Sequence, residues 1–555
     1  MPVANGLRPV LSSRMDDQVP DRGAALRGAL EHIRNGRPDA AEALCRRLAG
    51  PFPAEADVHH LLGVVALGRK DLDPAMAAFR RAIALAPQVT HYYSNLGTAQ
   101  RAAGVTDAAE GNYRRALRLV PGQAETLSNR ANLLVALERY DEALPLYRMA
   151  VALRPEHAKL YGNLGDLFLK MQRPAKAVHA YETANILAGG RFHDVTVNLG
   201  MAYQRLNALP DALRCYDQAV ARQPENPAPH WNRALAWLVS GNLTQGWREY
   251  EWRWRLAECP PRQFDRPLWS GEPLDGRTIL LHAEQGLGDT LQFVRYLPMV
   301  AARGGRIVLE CQPSLCRLLA ASFPDAAVVA AGDPLPAFDV HLPLLSLPGV
   351  FGTTLDTIPA SVPYLRVPDG IGSATGPFVP RRGAPAVGLV WGGDPAHRND
   401  RQRSLDTGAL RALLATPGVA FVSLQKGERA RVLDRLGPEF GVIDRAADLG
   451  DFADTAAAMA QLDLVVTVDT SVAHLAGALG RPVCVMLPFA PDWRWLLDRR
   501  DSPWYPTATL FRQEAPGDWL AVVGRIARHL QGATQQDITR HPPLTGQPGQ
   551  ATPLP

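Results

Sequence analysis

The chain has 555 residues, more than one hydrophobic core accommodates, so two or three domains are expected. Its 46% hydrophobic and 21% charged residues are ordinary for a globular protein. A net charge of +4, spread without a long basic run, argues against nucleic acid as a partner. No apolar run of about eighteen residues marks a membrane span, and the amino-terminal stretch lacks the apolar core of a signal peptide. The cysteines Cys45, Cys215, Cys259, Cys311, Cys316 and Cys484 form neither a CxxC nor a Cys/His ligand spacing, so a reduced cytoplasmic protein is expected.

Residues 1–23 carry no periodic pattern and are expected to be disordered. A repeat array is predicted over 24–258. Gly63, Gly97, Ala131, Gly165 and Gly200 recur at intervals of 34 or 35 residues. Twelve residues after each stands an alanine: Ala75, Ala109, Ala143, Ala177 and Ala212. Four further on comes an aromatic (Phe79, Tyr113, Tyr147, Tyr181, Tyr216), and Pro87, Pro121, Pro155 and Pro224 close their units. Small residues let two antiparallel helices approach, the aromatic fills the gap, and proline ends the second helix. The pattern resembles the tetratricopeptide repeat. Gly36, Ala41 and Cys45 mark a weaker unit before it; Ala234, Gly241, Gly246 and Tyr250 mark one after. The aromatics Trp247, Tyr250, Trp252 and Trp254 are expected to seal the last repeat against the next domain. In the resemblance, the concave groove of such a solenoid holds a protein or peptide. Asn95, Asn129, Asn163, Asn198 and Asn232 recur on the first helices, where they are expected to face that groove.

A Pro/Gly-rich linker, 259–276, leads into alternating strand and helix patterns, which predict parallel sheets. Strands are expected at Thr278–His282, Arg306–Leu309, Ala327–Ala330 and Val340–Leu342 in a first lobe, 277–375, with a helix at Thr290–Arg303. A second lobe, 385–515, has strands at Ala386–Trp391, Ala420–Leu424, Leu464–Val468 and Val483–Leu487. A last helix within 516–530 is expected to return to the first lobe, and the Pro/Gln/Gly/Thr-rich tail 531–555 to be disordered.

Three loops carry candidate chemistry. His282, Gln285, Gly286, Gly288 and Asp289 follow the first strand, with Asp289 opening a helix. Leu291 stands where a nicotinamide-binding GxGxxG would have its last glycine. Asp289 is expected to have a lowered pKa from the helix dipole, unless burial raises it. Gly392, Gly393, Arg398, Arg401 and Arg403 follow the first strand of the second lobe, and Glu428 the next, as a candidate ribose acceptor. Asp469, Thr470, Ser471 and His474 gather at a helix start with Ser471 as its N-cap, a place suited to phosphate.

GLGD after the first strand and DTSVAHLAGALGRP in the second lobe resemble the ADP-heptose:lipopolysaccharide heptosyltransferases over about residues 268–530. The fusion to repeats resembles the architecture of protein O-linked N-acetylglucosamine transferases. The resemblance implies a GT-B fold of two Rossmann-like lobes and a glycosyltransferase using a nucleotide-diphosphate sugar. It makes Asp289 the general base, while the Asp469–His474 loop and either Arg401 or Arg403 contact the donor. The heptosyltransferases usually have glycine where Ser471 stands, so a side chain here is expected either to narrow the phosphate approach or to add a hydroxyl donor. No metal-binding DxD occurs in the second half, and neither a metal nor a cofactor is expected. The acceptor is expected to be a protein or glycan presented by the repeats. The alternative is a scaffold with a non-catalytic GT-B domain; a GT-B epimerase or phosphorylase explains the repeats less well.

Overall fold

A computed structural model describes residues 21–371, 384–397 and 399–532. The segments expected to be disordered fall almost wholly outside this range, as does Arg398. The exceptions are helical: the first helix begins at Arg22 and the last runs to Gly532. The chain forms two compact units, up to Asn198 and from Leu199 onward, so the last repeat helices fall in the same unit as the α/β half.

The first unit is built of antiparallel helix pairs, beginning with Arg22–Arg34 and Pro38–Ala49, the weak repeat read before the array. Ala56–Gly68 pairs with Leu72–Leu85, and Thr90–Ala102 with Thr106–Leu119. Ala124–Ala136 pairs with Tyr140–Leu153, and Ala158–Lys170 with Pro174–Leu187. The small positions do what their spacing implies. A Cβ on Gly63 would stand 2.6 Å from the Phe79 ring, and one on Gly165 2.5 Å from the Tyr181 ring. The repeating asparagines make an inter-repeat ladder. Asn95 Nδ2 meets His60 Nε2 at 2.7 Å, Asn163 donates to Ser128 Oγ at 3.1 Å, and Asn198 donates to Asp166 at 3.0 Å. These three amides bond back to the preceding first helix.

In the second unit, the last repeat helices, Leu209–Arg222, Pro227–Val239 and Leu243–Tyr250, precede the sheets. Trp247 and Tyr250 are buried as expected; Trp247 packs edge-on to Trp493 at 5.2 Å and donates to the Thr353 carbonyl at 2.9 Å. Trp252 instead stacks on His230 at 3.6 Å.

The first sheet holds β1 (Thr278–His282), β2 (Arg306–Cys311), β3 (Ala327–Ala330) and β4 (Val340–Pro343), all parallel, in the order β3-β2-β1-β4. The second holds β5 (Ala386–Val390), β6 (Ala420–Ser423), β7 (Ile443–Asp444), β8 (Leu464–Val468), β9 (Val483–Leu487) and β10 (Ala508–Arg512). It is also parallel, in the order β10-β9-β8-β5-β6-β7. Strands β1, β5, β8 and β9 are buried throughout, which is why they read as unbroken apolar runs.

The helix expected at Thr290–Arg303 is shorter and broken: Leu287–Phe293, a 3-10 turn at Val294–Tyr296, then Leu297–Ala301. Pro298 sits in the first turn of the last piece, where its missing N–H costs nothing. The closing helix Trp519–Gly532 does not return to the first lobe. Its apolar face (Trp519, Val522, Ile526 and Leu530) joins the second-lobe core with Leu389, Leu410 and Leu413.

Candidate active site

A cleft of about 1190 Å³ opens at the carboxyl ends of the strands of both sheets. Its walls come from Gln204, Leu235 and Val239 of the last repeats, from residues 285–289 after β1 with Ser314 after β2, and from the segments after β5, β6, β7, β8 and β9. Ligands in open α/β sheets bind at this end of the strands.

Across the cleft floor, helix Leu287–Phe293 meets helix Ser471–Ala478. Gly288 is the point of contact: a Cβ there would lie 2.8 Å from His474 Cδ2 and 3.5 Å from the Ser471 Cα. The two loops singled out in the sequence are thus neighbours in space. Thr470, not Ser471, caps the second helix, accepting from the Val472 N–H at 3.3 Å, and Ser471 is its first residue. Ala473 N–H bonds the Thr470 carbonyl at 3.0 Å.

Asp289 has both oxygens engaged. One accepts from the Gly286 N–H at 2.8 Å; the other is ion-paired with the Arg494 guanidinium. Burial raises the Asp289 carboxyl above its ordinary value; Arg494 opposes the rise and Asp492 adds to it. The lowering expected from the helix dipole is therefore outweighed, because desolvation of a carboxylate exceeds the pull of one short helix. Arg494 also reaches Gln292 Oε1 at 2.7 Å and Asp492 at 2.8 Å, and so ties the loop after β9 to the first lobe.

Asp469 lies across from this network. Burial lifts its carboxyl to about 6, with Asp492 adding to the rise and Arg403 opposing it. Arg403 donates to the Asp469 carbonyl at 3.2 Å and lines the cleft, whereas Arg401 is exposed and outside it. Of the two arginines, Arg403 is the one that lines the cleft. Gly393 makes room for it: a Cβ there would stand 2.5 Å from Arg403 Nη2. Likewise a Cβ on Gly392 would collide with Arg429 Cδ. Their N–H groups are already used, Gly392 by Gln425 Oε1 at 3.0 Å and Gly393 by Ser404 Oγ at 3.1 Å. These glycines therefore admit arginine side chains and do not offer open backbone donors.

Gln285 and Gly286 line the cleft, and Glu428 sits at its exposed rim. His474 is buried, with Nδ1 2.9 Å from the Tyr505 hydroxyl, and burial holds it neutral. His282 does not reach the cleft. It is buried among Phe264 and His341, and burial lowers it to about 3. The end of a strand was enough to nominate it, but the side chain of a β-strand residue takes one face, and here that face is the core.

Sequence reasoning missed Arg494, Asp492, Gln425 and Asp400. Buried Asp400 is ion-paired with Arg429 and hydrogen-bonded to Ser404 Oγ at 2.8 Å. The stretch PFAPDWRW after β9 was a usable signal, because β9 neighbours β8 and its loop opens at the same edge as Asp469.

Helix pairs followed by two parallel sheets define a tetratricopeptide solenoid and an α/β region consistent with a Rossmann-like GT-B fold. Residues 26–90, 122–184 and 197–246 match tetratricopeptide repeat families, and residues 427–487 match glycosyltransferase family 9 (heptosyltransferase). A curated relative, Protein FlbA of Caulobacter vibrioides, is 30% identical over 346 residues, 57% of this chain and 57% of FlbA. The match thus spans little more than half of that relative's length. Among solved structures, a thermophilic TPR protein of Thermus thermophilus is 24% identical, covering 32% of this chain and 97% of that one (TM-score 0.30). Pseudomonas aeruginosa PilF is 22% identical, covering 38% and 94% (TM-score 0.34). The family match supports a glycosyltransferase-like function, and the repeats a protein or peptide partner. Among the described residues no helix is long and apolar enough to cross a membrane.

Proposed function

We propose that this chain transfers a sugar from a nucleotide-diphosphate sugar to a hydroxyl of a protein or glycan acceptor that the repeats present. One observation carries the reading: a single cleft is lined by Asp289, by Arg403 with the Asp469–Ser471 helix start, and by the last repeats. The donor phosphates lie against Arg403 and the start of helix Ser471–Ala478. Arginine and helix donors stabilise the charge that grows on the departing nucleotide. Asp289 takes the proton of the acceptor hydroxyl as the new glycosidic bond forms and the sugar–phosphate bond breaks. To do so it exchanges Arg494 for the acceptor, and Arg494 is then free to face the phosphate. A carboxyl with a raised pKa is the stronger base for this step. Gln204, Leu235 and Val239 form the acceptor side.

The ion pair on Asp289 also favours a second reading, a scaffold whose base is permanently occupied. Calorimetric titration with a panel of nucleotide sugars, together with a transfer assay, separates the two. Transfer requires Asp289; Asp289→Asn abolishes it and leaves donor affinity within about threefold. Arg403→Ala weakens the donor about tenfold or more, near 1.4 kcal/mol, while Arg401→Ala does not. Failure of every nucleotide sugar to bind supports the scaffold.

A further inference from the structure

In the first unit, Asp57, His60 and His91 each bring one ligand-capable atom to within 4.8 Å of the others. Asp57 and His60 stand three residues apart on helix Ala56–Gly68 and share a face. His91 lies in the first turn of Thr90–Ala102, the first helix of the next repeat. Stacking of the two repeats sets the His60 and His91 rings edge to face, 4.7 Å between centroids.

The groups around the trio orient it. The Tyr92 hydroxyl donates to Asp57 Oδ1 at 2.5 Å. Asn95 Nδ2 lies 2.7 Å from His60 Nε2; with the amide turned over, its Oδ1 accepts from Nε2–H and leaves Nδ1 unprotonated for a further partner. A second bond of this kind, fixing one imidazole nitrogen while the other binds, is how proteins aim ligating histidines. A histidine ring offers an unprotonated nitrogen at neutral pH. Metal ions require that form.

We propose that Asp57, His60 and His91 bind a divalent transition-metal ion of the zinc class and so clamp two successive repeats. Two imidazoles and a carboxylate suit such a borderline cation better than the all-oxygen sets of calcium or magnesium. Tetrahedral zinc at about 2.0–2.1 Å from its ligands needs ligand atoms roughly 3.3 Å apart. Asp57 and His91 are exposed, and rotation of their side chains closes the distance. Three protein ligands leave a fourth position for water or for a side chain of a bound partner.

Zinc chloride titrated calorimetrically into the full chain at neutral pH tests this. The expected result is a site that His91→Gln weakens at least about tenfold and that His60→Gln with His91→Gln abolishes. Zinc should also raise the melting temperature of the parent chain, reversibly on adding chelator, and have no such effect on the double variant. His91 is exposed, so the single variant keeps the fold, which circular dichroism checks. A parent chain that binds no zinc, or zinc binding unchanged in His91→Gln, overturns the proposal.

Discussion

Asp469 shows how one carboxyl couples stability to ligand binding. Its folded-state pKa of about 6 lies above the ordinary value, near 3.9 for an unfolded chain. The native state therefore holds this proton more tightly than the unfolded state does. Its stabilising contribution is complete below about pH 4 and is lost as pH rises through about 6. Asp469→Asn should flatten the pH dependence of unfolding free energy between those limits and stabilise the protein above pH 6, on the order of 1–2 kcal/mol. Denaturant unfolding at pH 5 and pH 7.5 measures this. In the parent chain a nucleotide sugar, whose phosphodiester does not titrate here, should bind more tightly at the lower pH, because a negative charge beside Arg403 disappears. A parent profile with no such dependence, or one that persists in Asp469→Asn, removes Asp469 from the donor site. Asp289 and Asp469 were legible because each follows an apolar strand and precedes a helix. Arg494, the partner of Asp289, was not, because 205 residues separate them and its loop has no periodicity.

At the scale of elements, the crossing of the two cleft helices depends on a missing side chain. Gly288 has no positive φ and cradles no backbone turn; its lack of a Cβ lets His474 and Ser471 approach. Gly288→Ala should separate the helices, cost about 1–3 kcal/mol of stability, and lower transfer, although residue 288 need not touch a ligand. Unfolding curves together with donor affinity check this. Unchanged stability with weakened affinity would instead make Gly288 part of a phosphate cradle. The repeats were legible to the residue because small and large positions must alternate at a fixed period for helix pairs to stack. Their turns were less so. The second residue after each first helix takes positive φ at Gly36, Lys70, Gly104, Glu138, Gln172, Asn207 and Gly241, but only three of the seven are glycine. Stacking of the repeats imposes that conformation against local preference. Strands β7 and β10 escaped notice for a similar reason. The first has two residues, and the second, ATLFR, gains its identity only by pairing with β9.

At the scale of the whole molecule, the end of the repeat array shares the hydrophobic core of the α/β half, which neither the linker at 259–276 nor the repeat period announced. One hydrophobic cluster takes in Leu238, Leu243, Trp247 and Tyr250 from the repeats, Ile279 and Phe293 from the first lobe, and Val465 and Trp493 from the second. Arg253, fully buried, is held by Glu284 at 3.0 and 3.1 Å, by Glu251 at 2.7 Å and by Ser346 at 2.7 Å. Removing it would leave Glu284 buried without its cation, which costs about 3–5 kcal/mol, in addition to the exposed apolar face. A chain beginning at residue 190, ahead of the helix His193–Arg205, should therefore fold and bind the nucleotide sugar like the full chain while losing transfer to a macromolecular acceptor. A chain beginning at residue 259, the boundary that composition favours, should unfold or aggregate. Circular dichroism, light scattering and calorimetric titration of both truncations decide the matter. A folded, donor-binding 259–555 fragment would show that the last repeats are a detachable cap and return the domain boundary to the linker.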